Sequence, residues 1–132
     1  MELALYHPQY GYYVRPVEDP TQERIGWSGD FYTSSDVHPI LGQALAKQAQ
    51  QLDACLGHPD PFTVVEMGPG KGLLARDFLT ACQNAPANLS ERLRYILIER
   101  SASMRAQQHE HVAPWIGRAG HVAWLDRLED LP

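Results

Sequence analysis

The stretch Thr63-Val-Val-Glu-Met-Gly-Pro-Gly-Lys-Gly72 decides how this chain folds. Thr63, Val64, Val65 and Met67 are β-branched or apolar, a composition that suits a strand covered on both faces. Glycines then fall at alternate positions, Gly68, Gly70 and Gly72, and Leu73, Leu74, Ala75, Phe78, Leu79 and Cys82 take up a helical period. The order is strand, tight turn, helix. Glycine in such a turn permits positive φ and close approach of the backbone to a ligand, and the start of the helix offers unpaired N–H groups. The stretch therefore predicts a cradle for a small molecule.

Spacing narrows the choice of ligand. A dinucleotide fingerprint needs Gly-x-Gly-x-x-Gly with its third glycine on the helix, whereas here Gly-x-Gly-x-Gly follows an acid, Glu66. A P-loop places four residues between its glycines and ends in Lys-Ser or Lys-Thr, but Lys71 is followed by Gly72. Neither pattern is met.

Working outward, Gly57-His-Pro-Asp-Pro61 releases the chain into the central strand, and Ile40 to Leu56 reads as a long helix. Leu41, Leu45, Ala49, Leu52 and Leu56 recur on it at spacings of three and four, which predicts that this face packs on the sheet. Ser34, Ser35 or Asp36 is the expected N-cap, with Pro39 in the first turn. Arg15 to Arg24 is a proline-bearing loop, and Met1 to Tyr13 holds one helical turn ending before Pro8, with tyrosines capping a core edge. On the other side, a helix from about Leu73 to Gln83 leads through a loop, Asn84 to Glu91, into a buried strand, Arg94 to Glu99. A helix over Ser101 to His111, a connector from Val112 to Gly120 and a strand from His121 to Leu125 follow. Alternating strands and helices predict an α/β fold of Rossmann-like type, with a parallel sheet of three recognisable strands.

At 132 residues the chain is one domain or part of one. Its net charge of −5 leaves no basic stripe to neutralise phosphates, which argues against nucleic acid as a partner and favours a small molecule or a basic protein segment. No apolar run approaches a bilayer span, which excludes a membrane partner, and Met1 to Tyr13 lacks the basic lead of a targeting peptide. A cytoplasmic location follows by default. Cys55 and Cys82 lie on separate predicted helices without Cys-x-x-Cys spacing and read as reduced packing residues. His109, Glu110, His111 and His121 do not share a helix face and lack further ligands, so no metal site is assigned.

Three blocks carry a family resemblance: Leu5-Tyr-His-Pro-Gln-Tyr-Gly-Tyr-Tyr13, Gly29-Asp-Phe-Tyr-Thr-Ser34 and Val65-Glu-Met-Gly-Pro-Gly-Lys-Gly72. With them the chain resembles the MidA-type family of S-adenosylmethionine (SAM) dependent methyltransferases, relatives of the mitochondrial protein arginine methyltransferase of complex I assembly. The first two blocks are more specific than the glycine turn, and Tyr95 to Glu99 extends the match. Family members are longer, carry a helix before the Tyr-His-Pro block and continue past the equivalent of Leu131-Pro132. A fragment matching the cofactor half is therefore expected, with residues 1–38 as an N-terminal extension and 39–132 as a partial SAM-binding domain.

The resemblance implies SAM as cofactor and a protein arginine as methyl acceptor. It places Glu66 at the ammonium of the methionine tail, Gly68, Pro69, Gly70 and Gly72 as backbone against tail and ribose, and Glu99 at the ribose hydroxyls. Gly29, Asp30, Thr33 and Ser34 form a loop near the cofactor, and Lys71 reads as a solvated turn charge. No catalytic residue is assigned. Two other readings stand beside this one: a non-catalytic SAM-binding or protein-interaction module, and a nicotinamide-dependent oxidoreductase, which the glycine spacing disfavours. In the common methyltransferase strand order, a chain ending after the third strand leaves Thr63 to Met67 unpaired on one edge. That edge predicts self-association, unless Gly29 to Ser34 folds back over it.

Overall fold

Apolar run length and helical period place nearly every element where the residues demand it. The computed structural model describes residues 1–15, 23–117 and 121–131. Its helices are α1 (Glu2–Tyr6), α2 (Ser34–Val37), α3 (Ile40–Cys55), α4 (Leu73–Cys82), α5 (Leu89–Arg92) and α6 (Ala102–His111), and its strands are β1 (Phe62–Met67), β2 (Leu93–Ile98) and β3 (Val122–Leu125). Most of the predicted loop Arg15 to Arg24, and the last three residues of the connector Val112 to Gly120, lie outside the described residues. The segment expected as a plain loop before β2 holds a 3-10 turn, Pro86–Asn88, and α5.

The strands form one parallel sheet in the order β1-β2-β3, with Val64 opposite Tyr95 and Leu97 opposite Trp124. Side chains alternate across it. Phe62 of β1 and Leu93, Tyr95 and Leu97 of β2 join Phe78, Leu79, Val112 and Trp115 in a single buried cluster beneath α4 and α6. The opposite face of β1 differs from expectation. Thr63, Val65 and Met67 are exposed, Met67 to 64%, so β1 is covered on one face only. It is an edge strand, as β3 is, whereas β2, flanked on both sides, buries five of its six residues. Among the described residues Gly29 to Ser34 does not pair with the free edge of β1; Phe31 bridges to Ile25 instead.

Helix α3 also departs from the sequence expectation. Its buried face is Gly42, Ala46, Ala49 and Asp53, which packs on α4, while Leu45, Leu52 and Leu56 are exposed and Leu41 borders a cavity. The small residues win because they admit close helix approach: a Cβ added to Gly42 would stand 2.6 Å from Cβ of Asp77. None of Ser34, Ser35 and Asp36 caps α3, whose N-cap is Pro39 without a side-chain bond; they form the separate short helix α2, capped by Thr33. The Thr33 backbone N–H and hydroxyl both donate to Asp36 Oδ2 at 2.8 Å, closing a capping box. Of the cysteines only Cys82 is a packing residue; burial pushes its thiol up to about 11, while Cys55 is exposed.

One buried ion pair ties α3 to the chain around α5. Arg92 donates both terminal nitrogens to Asp53, each at 2.9 Å, and also reaches the carbonyls of Pro59 and Ala87, while His58 Nδ1 donates to Asp53 Oδ2 at 2.7 Å. Arg92, aided by His58 and against the cost of burial, holds the Asp53 carboxyl down at about 2. A depressed carboxylate contributes stability that is present above its unfolded pKa of about 4 and is lost as pH falls toward 2. Asp53→Asn is expected to flatten the fall of melting temperature between about pH 4 and 2. It should also lower stability near neutrality in denaturant titration, since it leaves the Arg92 guanidinium without its carboxylate.

Candidate functional site

The turn after β1 has the backbone that its glycines allow. Gly68, Gly70 and Gly72 all take positive φ, at 65°, 54° and 83°. Their surroundings divide them. A Cβ added at Gly68 or Gly70 meets no atom within 4 Å, whereas one at Gly72 would lie 3.0 Å from Cγ of Gln108. Gly70 leaves room for a ligand, and Gly72 leaves room for α6.

Gln108 is fully buried and anchors this turn. Its Nε2 donates to the Gly70 carbonyl at 2.6 Å, and its Oε1 accepts from the Trp124 indole at 2.9 Å. One turn further along α6, His111 Nδ1 donates to the Lys71 carbonyl at 2.8 Å. Two carbonyls that helix α4 cannot satisfy thus find donors on α6. His109 stacks on Trp124 with ring centroids 4.0 Å apart, so these histidines serve packing and backbone.

In front of the turn opens a cavity of about 360 Å³. Among the expected site residues Glu66, Gly68, Pro69, Gly70, Glu99, Thr33 and Ser34 line it. Gly72, Gly29 and Asp30 do not. Gly29 sits in a tight turn, where an added Cβ would lie 2.6 Å from the Arg24 backbone, and Asp30 accepts the Tyr12 hydroxyl at 2.7 Å.

Glu66 and Glu99 stand at or just beyond the carboxyl ends of neighbouring parallel strands, β1 and β2. Burial raises the Glu66 pKa, partly offset by the Tyr95 hydroxyl, which donates to Oε2 at 2.8 Å. The same burial and the neighbouring Glu66 push the Tyr95 phenol up, so it remains a donor. Glu99 Oε1 accepts the Ser101 N–H at 2.8 Å, and Ser101 caps α6. The crevice beyond the carboxyl ends of the strands is where open α/β sheets bind ligands.

The lining residues not assigned from sequence include Tyr6, Tyr13, Asp36 and Lys71. The tyrosines belong to the first motif block, where an aromatic core cap was expected. They come to the cavity because Ser101 Oγ donates to the Tyr13 carbonyl at 2.9 Å, docking the N-terminal turn beside Glu99. Lys71 is not a solvated charge. Its side chain is 13% exposed, and its ammonium lies 2.5 Å from Asp36 Oδ1 and 3.4 Å from Glu23 Oε2. Burial disfavours ionised Asp36, yet Lys71 and the Thr33 donors outweigh it and keep the carboxyl below its ordinary range.

A glycine turn and two strand-end carboxylates facing one cavity define a nucleoside-cofactor domain. A family model described as "Putative S-adenosyl-L-methionine-dependent methyltransferase" matches residues 40–132, and the chain belongs to that family. Among curated relatives, a mitochondrial protein arginine methyltransferase homolog of Drosophila melanogaster is 38% identical over 79 residues, covering 60% of this chain and 17% of the relative. The Danio rerio enzyme of that name is 31% identical over 111 residues, covering 83% and 25%. A Burkholderia thailandensis crystal structure bound to S-adenosyl-homocysteine superposes with a TM-score of 0.71 at 32% identity, covering 96% of this chain and 31% of that one. The chain thus spans a third or less of each of these proteins.

Gln108→Leu leaves the Gly70 carbonyl and the Trp124 indole without partners at nearly constant volume. The expected loss is about 2 to 4 kcal/mol of unfolding free energy, from two orphaned polar groups, measured by denaturant titration followed by tryptophan fluorescence.

Proposed function

We propose that this chain is the cofactor-binding part of a SAM-dependent methyltransferase, with residues 1–38 as an extension and residues 39–132 as the SAM-binding domain. The observation that supports it most is the open space at Gly70, bounded by Glu66 and Glu99 in one cavity. The residues fit the cofactor. Glu66 would hold the ammonium of the methionine tail, and Glu99, with one carboxylate oxygen used by Ser101, would take the ribose diol with the other. Thr33 and Ser34 add hydroxyls, and Leu73, Leu74 and Met104 exclude water. When bound, SAM supplies a methyl group on a sulfonium centre, and an acid-lined cavity suits that positive charge.

A protein arginine as acceptor rests on the names of the relatives, which share this part of their length with the chain. A cytoplasmic site of action belongs to the same proposal, set beside relatives whose names place them in mitochondria. Among the described residues no helix is long and apolar enough to cross a membrane.

Calorimetric titration of the chain is expected to show heat with SAM and none with NAD; heat with NAD alone would sink the reading. Gly70→Val should abolish the SAM signal, because a branched side chain enters the cofactor space and resists positive φ. Glu99→Ala should weaken binding by about 1 to 3 kcal/mol, the worth of one charged hydrogen-bonding partner.

The free edge and exposed face of β1 support association of the chain with a second copy. Size-exclusion chromatography with light scattering over a dilution series should show a dimer that dissociates. A compact monomer at every concentration would overturn this part.

A further inference from the structure

One wall of the cavity lies outside the sheet and its crossover helices. It is built from Ile25, Phe31 and the Thr33–Asp36 turn, all of which precede α3. Within itself this wall is ordered by local bonds: Gly26 N–H to the Phe31 carbonyl, Asp30 N–H to the Arg24 carbonyl, and the Thr33–Asp36 cap. None of these bonds ties it to the glycine turn. That tie is made by Lys71, whose neighbours in sequence are Gly70 and Gly72. Its ammonium crosses to Asp36 at 2.5 Å, and both side chains are largely withdrawn from water, Asp36 to 3% exposure. Glu23, from the start of the same segment, adds a second and more exposed carboxylate at 3.4 Å.

The three groups have different amounts of freedom. The Lys71 backbone is fixed from behind by His111, on the carbonyl of Lys71 itself, and by Gln108 on the carbonyl before it. Its side chain therefore projects from a rigid base. The Asp36 carboxylate is held by two Thr33 donors on one oxygen, leaving the other for Lys71. Each partner arrives already oriented, which lowers the entropy cost of the pair, and burial keeps salt from screening it. Leaving either charge alone in this setting is costly.

Resting on the SAM-binding reading above, we propose that Asp36 and Lys71 are positioning residues for the cofactor. Their ion pair fastens the wall segment 23–36 to the glycine turn, and so holds Thr33 and Ser34 opposite Glu66. Neither residue need touch the ligand. The pair converts two pieces of chain into one site.

The test combines hydrogen exchange with calorimetry, using S-adenosyl-homocysteine as the probe, on the parent chain, Asp36→Asn, Lys71→Met, the double variant and Lys71→Arg. Lys71→Met leaves the Thr33–Asp36 cap intact and so separates attachment from local capping. Each neutralising single variant is expected to speed amide exchange across residues 24–36 at least tenfold while exchange in β2 stays as in the parent. Each should weaken binding of the probe at least tenfold. The double variant should lose no more than the worse single, as coupled partners do, and Lys71→Arg should remain within threefold of the parent. Unchanged exchange across 24–36, unchanged probe affinity in both single variants, or additive losses in the double variant would each overturn the proposal. A parent chain silent toward the probe would overturn the cofactor reading instead, with the exchange data still deciding whether the pair fastens the wall.

Discussion

Two backbone carbonyls set the terms for this structure. To bring β1 into α4 through a turn of left-handed glycines, the chain must leave the carbonyls of Gly70 and Lys71 facing away from α4. Buried carbonyls need donors, and the supply comes from α6 through Gln108 and His111. Gln108 in turn needs a donor for its own oxygen and takes the indole of Trp124 on β3. The glycine turn, the second crossover helix and the third strand are thus joined by a relay of side-chain and backbone hydrogen bonds. Removing one member would leave the next unsatisfied in a dry setting.

The relay also explains why one glycine of the motif has a different role from its neighbours. Gly72 meets Gln108 so closely that an added Cβ would lie 3.0 Å from its Cγ, so its lack of Cβ serves the approach of α6. Gly70 has nothing before it but cavity. Two residues apart in a single motif, one glycine makes room for the protein and the other for a ligand.

What was legible in the sequence follows the range of the interactions involved. The strands, α4, α6 and the parallel order could be read because run length, helical period and glycine punctuation are local signals. The position of Glu66 and Glu99 beside one cavity could be read because they sit at or just beyond strand ends whose position those signals fix. Lys71 could not: nothing between Gly70 and Gly72 reveals that its ammonium is met by a carboxylate 35 residues earlier, at Asp36. Gln108, which looks like any polar residue of an exposed helix, was invisible for the same reason. The single-face burial of β1 was missed because its β-branched and apolar residues read alike whether one face of a strand is covered or both. The leucines of α3 misled most directly, since a regular apolar stripe ordinarily marks the packed face.

That inversion in α3 has a consequence for alignment. Helices that meet through bulky side chains can slide and repack, because long rotamers absorb small shifts. Here Gly42 sits over Asp77, where an added methyl group would lie 2.6 Å from the Asp77 Cβ and 2.9 Å from the Phe78 nitrogen. Advancing α3 by one residue along α4 would bring Leu41 or Gln43 to a gap that only a hydrogen atom fits. The contact therefore works as an index pin: it contributes little apolar area, yet it admits one setting of α3 against α4. Because α2 runs into α3 through just His38 and Pro39, the same pin fixes how far the Thr33–Asp36 turn reaches toward Lys71.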